Sequence, residues 1–217
     1  MGWTMFIPEK ALFHARVEGY DAFVSSPFGI LAIDTEADAV AVAVGLSSTA
    51  RSRNDLMNSV YLETSIVSHA AAWPSSVAEV AVLQDQAKRW FVEQRHLYDV
   101  VTSQLVIDEA GMGDRDAAGR RLALLDGILL LPVNPDAETV ADEIVRRSMM
   151  PASARIDALH VASAALAGVQ YLLTLNCKHI ANAHELPRLY RLLESLGLGG
   201  LLICTPIEFL GGGDDEP

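Results

Sequence analysis

Short apolar runs alternate with stretches of helical spacing from residue 57 to residue 210, and this alternation constrains the chain more than any other feature. Val60-Tyr61-Leu62, residues 98–102, residues 128–133, residues 170–174 and residues 201–204 read as strands. Between them, residues 64–72, a stretch carrying Val80, Leu83, Ala87, Trp90 and Phe91, residues 116–125, a helix opened by Pro135, and residues 186–196 read as helices. Strands alternating with helices predict an α/β sandwich. The unbroken apolar run at 128–133 is of the sort found in buried parallel strands.

The ends of these elements carry the chemistry. The first strand stops abruptly at Glu63-Thr64-Ser65, and open α/β sheets place their ligands at the carboxyl ends of strands. Glu63 is equally readable as an acid in the first turn of the next helix, where negative charge is favoured. Ser103 is placed to cap a short helix that Gly111 and Gly113 end, and within it Glu109 follows Leu105 and Val106 on the apolar side. A carboxylate there needs a partner or must reach water. A cap at Ser153 places Asp157 about a turn inside its helix, and Ala158, Ala162, Ala164 and Ala165 let that helix lie close to the sheet. His160, on a neighbouring stripe, reads as a packing or supporting residue, because no second histidine stands at zinc-site spacing. Asn176, after the strand ending at Thr174, reads either as a turn residue or as an oxygen donor equivalent in position to Glu63.

The rest of the chain sets bounds. A formal net charge of −12 over 217 residues argues against nonspecific electrostatic grip on nucleic acid, although clustered metal-binding acids contribute to such a total. No apolar run suffices to span a bilayer and no leader pattern is evident, so a soluble cytoplasmic protein is expected. Cys177 and Cys204 are too far apart for a paired metal or redox motif and are expected as ordinary buried thiols. Residues 1–56 form an extension of unassigned role, in which residues 28–33 and 39–44 read as two strands of a hairpin and residues 47–55 as a linker. Residues 57–210 form the main domain, and residues 211–217 a disordered tail.

Val60-Tyr-Leu-Glu-Thr-Ser, Leu105-Val-Ile-Asp-Glu, Asp157-Ala-Leu-His and Leu173-Thr-Leu-Asn-Cys-Lys-His-Ile-Ala-Asn182, in this order, resemble a PIN domain, and most of all the VapC-like toxins of type II toxin–antitoxin pairs. The resemblance covers residues 57–210. It implies a PIN-like three-layer α/β/α sandwich with a central parallel sheet, and an endoribonuclease that hydrolyses phosphodiester bonds with Mg²⁺ or Mn²⁺. Carried over by position, Glu63, Glu109, Asp157 and Asn176 would be the four site residues, the three acids holding metal, with Thr64 and Thr174 in support. An RNA substrate, a cognate antitoxin and a homodimer are the implied partners. This chain has Glu63 where the family mostly has Asp and Asn176 where it often does; an amide oxygen carries neither charge nor basicity. The competing expectation is a weakly active or inactive PIN-like binding module in a regulatory complex.

Overall fold

The computed structural model describes four strands within the first 33 residues, then residues 58–147 and 149–210. It divides into two compact units, Met1–Asn54 and Asp55–Pro217. In the first unit, β1 (Trp3–Phe6) pairs antiparallel with β4 (Ile30–Ile33), and β2 (Leu12–Val17) with β3 (Tyr20–Ser25). The strand expected at residues 28–33 is present as β4, with Trp3–Phe6 as its partner. The expected partner at 39–44, the linker at 47–55 and the tail at 211–217 lie outside the described residues.

The second unit is an α/β/α sandwich around a parallel five-stranded sheet of order β7-β6-β5-β8-β9. Its strands are β5 (Ser59–Leu62), β6 (Asp99–Thr102), β7 (Leu129–Leu130), β8 (Tyr171–Leu173) and β9 (Leu202–Cys204). The chain starts in the middle, steps outward twice to β7, then returns past β5 to β8 and β9. Right-handed crossovers in opposite directions put the connecting helices on opposite faces. Accordingly α1 (Thr64–Ala71) packs on α2 (Ala78–Arg89), α3 (Gln104–Ala110) and α4 (Arg115–Leu125), while α5 (Asp136–Arg146) packs on α6 (Arg155–Leu166). Two more helices, α7 (Leu186–Ser195) and α8 (Pro206–Leu210), flank β9 in the chain.

Burial follows the sequence pattern in the centre. Every residue of β5 is fully buried, as are Leu172 and Leu173 of β8. The alanines at 158, 162, 164 and 165 are buried too, so α6 makes the close approach that its small side chains predict. Trp90 and Phe91 meet edge to face at 5.5 Å, with Trp90 in the core. Helix α7 buries Leu189, Leu192 and Leu193 and stops at Gly197, which takes a φ of 74°.

Three local expectations need correction. The run at 128–133 does supply a parallel strand, but β7 is short and lies at the sheet edge, with Leu129 62% and Leu130 45% exposed. An apolar run records that a strand is favoured, not how many neighbours will cover it. Helix α6 begins at Arg155 after a 3₁₀ turn at Ala152–Ala154, later than a Ser153 cap allows. Asp157 therefore sits in the first turn, where the helix dipole already favours a carboxylate. The two cysteines are free, yet Cys177 is exposed and Cys204 only half-buried, the latter with its thiol pushed up to about 11 by burial and then by the charge of Glu208. Among the described residues no helix is long and apolar enough to cross a membrane.

A candidate metal centre at the switch point of the sheet

Strand order reverses between β5 and β8, and it is in the crevice beyond the carboxyl ends of such strands that open α/β sheets bind ligands. The register pairs Leu62 with Leu173, which sets Glu63 beside Thr174. The backbone N–H of Glu63 donates to the Leu173 carbonyl at 3.2 Å, extending the ladder by one step. Glu63 is also the N-cap of α1, its Oε1 accepting from the Ser65 N–H at 3.0 Å. The Thr174 hydroxyl donates to Glu63 Oε2 at 2.7 Å, and the Ser65 hydroxyl donates to the same oxygen. The side chain of Glu63 is thus held by hydroxyls from two elements and is buried, at 4% exposure.

Glu109 arrives from α3. Thr64, the first residue of α1, donates its hydroxyl to Glu109 Oε2, and His160 Nε2 lies 2.9 Å from the same oxygen. Burial pushes the Glu109 carboxyl up, but the hydrogen bonds from His160 and Thr64 and the charge of His160 outweigh it and hold the group below the usual carboxylate range. One ligand atom each from Glu63, Glu109 and His160 lies within 4.8 Å of the others.

Behind Glu109 runs a buried chain of polar groups. His160 Nδ1 is 2.9 Å from the Tyr61 hydroxyl, which is 2.7 Å from the Ser103 hydroxyl. An ionised Glu109 only accepts, so His160 Nε2 carries a hydrogen. With the ring neutral, Nδ1 accepts from Tyr61 and Tyr61 accepts from Ser103; with the ring charged, both outer bonds reverse. Every member stays satisfied in either state, which a buried network requires. Burial above all, with the charges of Glu63 and Glu109, holds the Tyr61 phenol far above its usual range, so it stays protonated. Ser103 turns its hydroxyl to Tyr61 and occupies the N-cap of α3 without a side-chain capping bond.

Of the residues singled out in the sequence, Glu63, Glu109, Thr64 and Thr174 come together here. Asp157 lies one helical turn before His160, half-buried, and is not in the converging group. Asn176 spends its Oδ1 on the turn after β8, accepting from the His179 N–H at 3.2 Å, while its own N–H donates to Thr174 Oγ1 at 2.9 Å. The register makes Thr174, not Asn176, the neighbour of Glu63. Ser65 and Tyr61 enter the site without having been proposed for it, and His160, read as a packing or supporting residue, stands against Glu109. Ser65 also accepts from the Leu175 N–H at 2.8 Å and so ties the β8 loop to α1.

No family model matches this chain, and no curated protein does. Among solved structures, the Mycobacterium tuberculosis protein VapC20, described as a sarcin–ricin loop cleaving toxin, is similar at 21% identity and a TM-score of 0.45. That alignment covers 57% of this chain and 95% of VapC20.

Proposed function

We propose that this chain is a metal-dependent endoribonuclease of the PIN type, acting as the toxin of a toxin–antitoxin pair, with RNA as substrate and a cognate antitoxin as partner. The observation that carries the reading is the meeting of Glu63 and Glu109 with His160 within 4.8 Å at the switch point of the sheet. The donor set fits a hard divalent ion. Two of its three members are carboxylates, whose oxygens Mg²⁺ and Mn²⁺ prefer. Each ionised carboxylate offers about four lone-pair sites. Glu63 accepts from the Ser65 N–H, the Ser65 hydroxyl and Thr174, which leaves room for a ligand bond. On Glu109 the bonds from Thr64 and His160 both fall on Oε2.

Glu63 and Glu109 would hold the ion, and Asp157, in the first turn of α6 and outside the converging group, is the third acid of this reading. When bound, the ion supplies charge stabilisation for phosphodiester displacement and eases activation of the attacking water. Thr174 and Ser65 orient Glu63, and His160, braced by Tyr61, orients Glu109. Water is the nucleophile, so no covalent intermediate forms. A homodimer belongs to this reading through the family resemblance alone.

A second reading, a weak or inactive PIN-like binding module, is favoured by two features: the Asn176 oxygen is engaged in its own turn, and Asp157 stands outside the cluster. One assay separates the two. Mixed RNA incubated with the full chain should be cleaved in Mn²⁺ or Mg²⁺ and left intact in excess EDTA. RNA left intact under every metal condition would favour the binding module, and cleavage that survives EDTA would remove the metal from the account.

A further inference from the structure

We infer that a basic track formed by Lys178, Arg147, Arg188 and Arg191 binds the phosphodiester backbone of a nucleic acid away from the bond that is cut. The chain around it is acidic, with a formal net charge of −12, so a local excess of cations is informative. Two adjoining clefts form the track. The nearer, of about 690 Å³, has Lys178 and His179 on its wall, and the farther, of about 330 Å³, has Arg147, Arg188 and Arg191. They share Met149, and Glu185 on the nearer wall ion-pairs with Arg188 on the farther at 2.8 Å.

Chain connectivity keeps one end of the track within reach of the site. Lys178 stands four residues past Thr174, whose hydroxyl holds Glu63, so its Cα lies at most about 15 Å from that of Thr174. The charge is only partly cancelled. Arg147 pairs with Glu143 at 2.6 Å, and Arg188 pairs with Glu185 while also donating to the Arg147 carbonyl at 3.0 Å. Arg191 donates to the Pro187 carbonyl at 3.0 Å, and among the described residues neither Arg191 nor Lys178 has a carboxylate partner. Elsewhere, Arg155 is clamped by Glu138 and Asp142, and Arg89 by Glu93. Exposed guanidinium and ammonium groups along a groove suit phosphates read for charge rather than for base. The ligand class rests on the nuclease reading, but binding along the track requires no metal.

The test uses the full chain in EDTA and a short fluorescein-labelled single-stranded RNA, followed by anisotropy over a range of salt. The Lys178→Ala/Arg191→Ala double variant should bind about tenfold more weakly, with a log–log salt slope shallower by about 1.4, two single-strand phosphate contacts having been lost. Lys178→Arg/Arg191→Lys, which keeps the charge, should recover most of the binding. Arg115→Ala, outside both clefts, should bind as the wild type does. Single-stranded DNA should respond in parallel, because phosphates and not 2′-hydroxyls are read. Unchanged affinity and slope in the double variant would overturn the track, as would its loss of binding to polyglutamate alone, which would mark the surface as one for an acidic protein. If the variant loses RNA binding while the wild type cuts nothing in Mn²⁺, the track stands and the nuclease reading falls.

Discussion

Glu63→Gln should lower Mn²⁺-dependent RNA cleavage by at least about a hundredfold, since even the loss of a residue that merely supports a metal ligand costs 10- to 100-fold. The fold should survive. The substituted amide would still accept from the Ser65 N–H, and the hydroxyls of Ser65 and Thr174, which now donate to Glu63, can rotate to accept from the amide nitrogen. Without metal the variant should be as stable as the wild type or slightly more so, because one of two neighbouring negative charges is gone. Cleavage rate and thermal midpoint, each measured with Mn²⁺ and with EDTA, check both parts. Wild-type cleavage by the variant would detach Glu63 from the chemistry, and collapse of the fold would make it a structural cap and nothing more.

His160→Ala should act on stability and activity together. The ring is 1% exposed, and its removal deletes one hydrogen bond to Tyr61, which keeps Ser103, and one to Glu109, beside a new cavity. A loss of about 2–4 kcal/mol is expected, or roughly 5–15 °C in thermal midpoint for a unit of this size. As a positioning residue for Glu109, His160 should also weaken Mn²⁺ binding by about 10- to 100-fold when removed. His160→Gln, which restores a donor toward Glu109, should recover part of the metal affinity. A destabilised variant with unchanged Mn²⁺ affinity would leave His160 a core residue without influence on the site.

The parts of this site that were legible in the sequence are those whose signal is local. Glu63 stands out because a buried strand ends abruptly in polar residues, and Glu109 because an acid falls on the apolar side of a short helix. The parallel α/β order follows from the alternation of runs. What stayed hidden depends on pairings between distant segments. His160 meets Glu109 across 51 residues and Tyr61 across 99, and nothing in the spacing around a lone histidine among alanines records either partner. Asn176 looked equivalent to Glu63 because both follow a strand, but strand register decides which residue lies beside which, and it selects Thr174. The Ser153 cap was misplaced by a 3₁₀ turn that local propensity does not distinguish from the start of a helix.

The claim at the centre of this account is that the carboxylates of Glu63 and Glu109 form a divalent-metal site. Crystals of the full chain grown in MnCl₂, measured near the manganese absorption edge, would test it most directly. The account predicts an anomalous peak within coordination distance of both carboxylates, absent from crystals of the Glu63→Gln variant. A wild-type map with no peak there, at manganese concentrations that support cleavage, would contradict it.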